Sequence, residues 1–252
     1  MALTPVTTRG RLVAGPCVVK MGGMQIAPLR RYNHPDISDH VVHFTGRSGA
    51  DGPGVPDEIA NLKDWERLAQ ILVDERILAF PPFGSDDPVV CFTECTRAGI
   101  QTLMAESRYS PCGIAFTKDF LFRKGGGPAL YIRGDEWGSV AGMPAELRAR
   151  AVRLWPGATS THGLPLPWYV TRPSEWLHER EWRIVGDGSP AGLRFTWADV
   201  AFVIAPHPRW ADFVAGFIGL FAPEYEPHFR SLPVVVVSSD GTVIDDPARA
   251  WL

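Results

Sequence analysis

Several absences narrow what this chain is. None of its apolar runs approaches the roughly 20 residues that a membrane-crossing helix needs, and the opening MALTPVTTRGRLVAG has no long apolar stretch of the secretory kind. A cytoplasmic protein with no membrane partner is therefore expected. Lysine is scarce: only Lys20, Lys63, Lys118 and Lys124 stand among 25 basic residues, and the net charge is −3. That excludes a strongly basic nucleic-acid-binding surface, though not a local basic groove. Four cysteines, Cys17, Cys91, Cys95 and Cys112, lack the paired C-x-x-C spacing of a zinc site. They read as reduced, small apolar residues, and no metal is expected. Gly125–Gly127 follows a helical stretch instead of preceding one, so it fits neither the dinucleotide fingerprint nor the P-loop and reads as a helix stop. No internal repeat, low-complexity tail or regular strand–helix alternation is present.

What remains is an ordinary globular composition, 45% hydrophobic and 21% charged over 252 residues. One domain over 1–252 is expected, with a loop-rich segment over 1–38 holding at most a short strand near 17–19, and a folded body over 39–252. Strands are expected at VVHFTGR, ILAF, VVCFTE, CGIAF, PALYIR, the stretch around 179–181, DVAFVIAP and LPVVVVSS. One helix capped by Asp57 carries Ile59, Leu62, Trp65, Leu68, Ile71 and Leu72 at helical spacing. Others are expected over 98–106, 119–122, most of 136–155 (anchored by Leu147, Val152 and Leu154) and 210–221. This irregular mixture fits an α+β fold with a largely antiparallel sheet.

The two-residue period of a strand sorts the side chains further. In VVHFT, Val42 and Phe44 share one face and His43 and Thr45 the other. In PALYIR, Leu130 and Ile132 oppose Tyr131 and Arg133. Residues 178–184 read HEREWRI: Trp182 and Ile184 look like core, while Glu179, Glu181 and Arg183 share the opposite face. Two carboxylates side by side on one face repel. One reading is an exposed polar face with Arg180 and Arg183 as salt-bridge partners. The other is a catalytic carboxylate with a helper two residues before it. His43, Tyr131 and Glu181 converge if their strands are neighbours with matching faces. Cys91 with His43 is a weaker nucleophile–base pair, since no strand-to-helix elbow supports it.

The order HFT, a helix with L-x-x-x-I-L, CFTE, YSPCGIAFTK, GGPALYI and EREWRI resembles the bacterial abortive-infection family of AbiGi type, over roughly residues 41–205. The same skeleton looks like the ADP-ribosyltransferase fold, a split, mostly antiparallel sheet that holds NAD⁺ in a central cleft. The HFT opening is also similar to DarT-like toxins. The resemblance implies an NAD-dependent ADP-ribosyltransferase in phage defence or a toxin–antitoxin system, with a nucleic acid, a protein or water as acceptor and a possible cognate partner. It matches Glu181 to the catalytic glutamate, Glu179 to the residue two before it, and His43 to the first-strand position. Tyr131 takes the aromatic role, with Phe92, Tyr109 and Phe116 as alternatives.

Breaking the nicotinamide–ribose bond builds an oxocarbenium-like cation, as in glycoside hydrolysis. Within the resemblance, Glu181 stabilises that cation. His43 and Thr45 hold ribose or nicotinamide, an aromatic ring stacks on nicotinamide, Arg47 or Arg123 grips the pyrophosphate, and Glu179 orients or deprotonates the acceptor. The rival expectations are a non-catalytic antitoxin or immunity protein on the same fold, an NAD glycohydrolase, and an RNA-processing protein.

Overall fold

The computed structural model describes residues 37–46, 55–82, 87–94, 96–105, 109–154, 180–188 and 190–246. In chain order the elements are β1 (His40–Phe44), α1 (Asp57–Ala60), α2 (Asp64–Val73), β2 (Arg76–Leu78), β3 (Val89–Thr93), α3 (Arg97–Ala105), β4 (Gly113–Thr117), α4 (Lys118–Arg123), β5 (Gly127–Pro128), β6 (Leu130–Arg133), α5 (Ala145–Ala149), β7 (Ala151–Leu154), β8 (Glu181–Val185), β9 (Gly192–Arg194), β10 (Val200–Ala205), α6 (Pro208–Phe221), α7 (Glu226–Ser231), β11 (Val234–Val237) and β12 (Val243–Asp245). Eight strands form one sheet in the order β12-β11-β10-β4-β1-β3-β8-β5, and two-stranded sheets pair β2 with β9 and β6 with β7. The large sheet is antiparallel except for β10 beside β11. This is a mixed fold with a mostly antiparallel sheet, as the scattered strand and helix signals imply.

Alternation along the strands divides the interior in two. Val41, Val90, Phe92, Ile114, Phe116, Ile184 and Val203 point to one face, where Leu68 and Leu72 of α2, Val214 and Ile218 of α6, and Phe120 and Leu121 after β4 pack on them. Val42, Ala115, Phe202, Ile204, Val235 and Val237 point to the other face, beneath Ile100, Leu103 and Met104 of α3. Val200 and Phe202, two residues apart, belong to different cores because the β10–β4 register slips between them. The middle of the sheet is thus covered on both faces, and its strands read as nearly continuous apolar runs.

Pairing is uneven across the sheet. β1 pairs with β4 along its whole length, from His40 opposite Thr117 to Phe44 opposite Gly113. β3 pairs with β8 as fully, from Val89 opposite Val185 to Thr93 opposite Glu181. Between these two halves β1 meets β3 in a single register pair, Val42 opposite Thr93. The sheet is one hydrogen-bonded ladder with a narrow seam at its centre.

Three local expectations need correction. Asp57 does not cap α1: the cap position is Pro56, and Asp57 is the first helical residue. The single expected helix is two, because the chain leaves helical geometry at Lys63, whose amide is then satisfied by Glu66 at 2.7 Å. Residues 136–155 are helical only as far as Ala149. A 3-10 segment over Gly134–Gly142 and the short α5 are followed by β7, where Val152 pairs beside Tyr131 and Leu154 beside Arg133. Met143 and Pro144 interrupt the helical run, and β-branched Val152 finds a ladder in β6. The glycine run does stop a helix: Gly125 has φ of +87° just after α4. The expected strand near 17–19 lies outside the described residues.

Candidate functional site

β8 carries chemistry on both faces. On the α3 face, Glu181 and Arg183, two apart, form a bidentate pair: Nε donates to Oε1 at 2.8 Å and Nη2 to Oε2 at 3.1 Å. The third guanidinium nitrogen, Nη1, donates to the Ala151 carbonyl of β7 at 2.9 Å. Arg183 is 4% exposed and the Glu181 side chain 10%. Cys91 stands directly opposite Arg183 in β3. Burial pulls the Arg183 pKa down, but Cys91, Glu181 and Tyr131 around it more than offset this, and the guanidinium stays charged. Glu181, Arg183 and Cys91 therefore lie together on one face, and Glu181 and Arg183 are largely buried where an exposed face was one expectation.

The α6 face holds a different group at the same end of β8. Glu94, the residue after β3, is 7% exposed. Its Oε2 accepts from Trp182 Nε1 at 3.1 Å. Its Oε1 lies 2.6 Å from Lys118 Nζ and 3.1 Å from Arg180 Nη2. Neither cation is aligned as a hydrogen-bond donor to Oε1, so these are charge contacts. Lys118 Nζ also lies 5.7 Å from the centre of the Trp182 ring. Arg180, expected to pair with its neighbouring glutamates, pairs with Glu94 across the strands.

His43 sits at the seam. Its Nδ1 lies 2.9 Å from the Cys91 carbonyl, just past the one β1–β3 register pair. A carbonyl only accepts, so Nδ1 carries the hydrogen and Nε2 is a bare acceptor in the neutral ring. Burial lowers the His43 pKa, against a smaller upward pull from the Cys91 carbonyl, which keeps the ring neutral near pH 7. The imidazole supplies the bond that the interrupted ladder leaves out.

The registers place His43 and Glu181 on opposite faces. Glu181 lies opposite Thr93, Thr93 opposite Val42, and His43 is the next residue along β1. His43 instead packs edge-on against Phe92, with ring centres 5.8 Å apart. The expected convergence of His43, Tyr131 and Glu181 thus fails for His43, which lies on the other face of the sheet from Glu181. The pairing of His43 with Cys91 is through the backbone carbonyl, which gives the thiol no base.

Phe92 is 1% exposed and encloses Phe116, itself in the core, so neither ring offers a free face to a ligand. Tyr109 packs on Phe44 at 4.8 Å. Thr45 is buried with its hydroxyl 3.3 Å from the Cys112 carbonyl. Arg123 is on α4, exposed, and paired with Asp119 at 3.2 Å. Glu179 and Arg47 lie outside the described residues. Glu94 was not singled out from the sequence, yet its signal is there. Val90, Phe92 and Glu94 alternate on the side that faces core, and a carboxylate in that position has to be paired.

Among the described residues no three metal-ligating side chains cluster, and no helix is long and apolar enough to cross a membrane. No family model, curated protein or solved structure matches the chain.

Proposed function

We propose that this protein transfers ADP-ribose from NAD⁺, with Glu181 as the carboxylate that faces the reacting ribose. The observation that carries the reading is the seam. Two well-paired half-sheets are joined by a single register pair, and that pair lies on the same cross-strand row as Glu181. A sheet so narrowly joined at its centre, with a fixed, buried carboxylate beside the join, supports the split-sheet transferase reading. The resemblance of the CFTE and EREWRI strands supports the same assignment.

The chemistry follows from the residues. The bond from ribose to the nicotinamide nitrogen breaks, and its electron pair stays on the departing neutral nicotinamide. The Glu181 carboxylate offsets the positive charge that develops on the ribose. Its bond to Arg183 uses one lone pair on each oxygen and leaves others for a ribose hydroxyl. The pairing also fixes the orientation of Glu181, so little reorganisation is needed at the reacting ribose. The acceptor, a nucleic acid base, a protein side chain or water, forms the new bond and loses a proton, the role assigned to Glu179. A setting in phage defence or a toxin–antitoxin pair belongs to the same proposal.

A second reading, a non-catalytic partner protein, draws on the same clamp. A carboxylate with both oxygens on a buried arginine is also what a purely structural pair looks like. The test is nicotinamide release from NAD⁺, followed by chromatography, with RNA, DNA and protein extracts added in turn. Release stimulated by one extract supports transfer and identifies the acceptor class. Release without any extract indicates water as acceptor. No release under any condition, with no NAD⁺ binding by calorimetry, refutes the transferase and leaves the partner reading.

A further inference from the structure

We infer that Glu94 is a positioning residue for Glu181, acting as a bracket from the opposite face of the sheet. This rests on the glycosyl-transfer reading above. Glu181 is flanked in sequence by Arg180 and Trp182, and one carboxylate holds both: Arg180 Nη2 at 3.1 Å from Oε1 and Trp182 Nε1 at 3.1 Å from Oε2. The Glu94 amide also donates to the Arg180 carbonyl at 3.2 Å, one step beyond the register pair of Thr93 with Glu181. Side chain and main chain of the same residue therefore fix both neighbours of Glu181.

Arg180 needs such a hold. Its φ is +45°, a left-handed conformation that costs a residue with a side chain and persists only where its surroundings impose it. Among the described residues the only other non-glycine in this region is Glu75, just before β2. The turn at Arg180 sets the angle at which the chain enters β8, and so where the Glu181 side chain leaves the other face. Lys118, whose side chain is 13% exposed, completes the group from the end of β4 and balances the buried charge. A carboxylate whose only task was to neutralise Lys118 would have no reason to hold residues 180 and 182 together.

Two variants separate positioning from bulk stability. Glu94→Gln keeps an acceptor for Trp182 but turns amide hydrogens toward Lys118 and Arg180. The double variant Glu94→Gln with Lys118→Met removes the ammonium left without a partner, while Arg180, 38% exposed, can turn to water. The expected result is that Glu94→Gln lowers kcat for nicotinamide release ten- to a hundredfold with KM for NAD⁺ within twofold. The double variant recovers the melting temperature but not kcat. Amide hydrogen exchange over residues 180–183 accelerates in both. Recovery of kcat together with the melting temperature, or an unchanged kcat in Glu94→Gln, overturns the inference. If the wild-type protein releases no nicotinamide, the transfer reading fails by itself. Exchange then judges the bracket alone, and unchanged protection over 180–183 overturns it.

Discussion

Removing the Arg183 side chain is the sharpest test of how the candidate site is built. Arg183→Met deletes three donors at once: two to Glu181 and one to the Ala151 carbonyl. Methionine fills much of the volume, so the main loss is electrostatic. Glu181, with its side chain 10% exposed, is left without its cation. Breaking a buried pair from one side costs about 3–5 kcal/mol. That is a large part of the roughly 5–15 kcal/mol by which domains of this kind are stable. At about 2–4 °C per kcal/mol for a chain of this size, the melting temperature should fall by roughly 6–20 °C. Thermal unfolding followed by circular dichroism reads this directly. The control is the double variant Arg183→Met with Glu181→Met, which removes both charges and should recover most of the loss. Arg183→Lys keeps the charge but not the planar fork, so it should fall between wild type and Arg183→Met. A shift below about 2 °C in Arg183→Met, at most about 0.5–1 kcal/mol on the same scale, would refute the claim that this is a buried, mutually dependent pair. So would a double variant no more stable than the single one.

Other consequences follow from the same geometry. His43 is neutral in the fold because burial lowers its pKa, whereas the unfolded chain takes up a proton near the ordinary histidine value of about 6.5. The unfolded state therefore binds more protons below that pH, and stability falls as pH drops through about 6.5, by at most about 1.4 kcal/mol per pH unit. His43→Asn should flatten urea-unfolding free energies between pH 6.5 and 5, and an unchanged slope would contradict the buried neutral ring. Asp87, held below the usual carboxylate range by its bond to Arg148, adds acid sensitivity only at lower pH, so the two effects separate. Burial, followed by the nearby Asp64 carboxylate, pushes the Cys112 thiol far up. Native protein at pH 8 should leave Cys112 unalkylated by iodoacetamide in peptide mapping, and rapid labelling there would show that the β4 end opens.

The period of two in HEREWRI read β8 correctly. Trp182 and Ile184 pack toward one face, and Glu181 and Arg183 share the other. A strand's own alternation is a local property, and sequence displays it. Which faces of separate strands coincide is set by register between residues far apart in the chain. That is why His43 could be assigned a face within β1 but not placed relative to Glu181. The same limit hid β7. Its four residues, Ala151–Leu154, follow a helical pattern directly, and only pairing with β6 makes them a strand. The choice of Arg183 and not Arg180 as the partner of Glu181 depends on the turn at Arg180, whose left-handed backbone sends its side chain toward Glu94. Glu94 was visible in outline as a carboxylate in a core-facing position, but its three partners come from α4, β8 and the turn before β8, which no spacing rule joins.

The measurement that bears most directly on the account is the rate of nicotinamide release by wild type and by Glu181→Gln, run below the melting temperature of both. The variant keeps the shape of the side chain and leaves Arg183 an amide to bond, while it removes the negative charge assigned to the ribose cation. The account predicts release by wild type and a loss of at least a hundredfold in kcat for Glu181→Gln, with NAD⁺ binding retained. Equal rates in the two proteins would contradict it, and would assign the Glu181–Arg183 pair to structure alone.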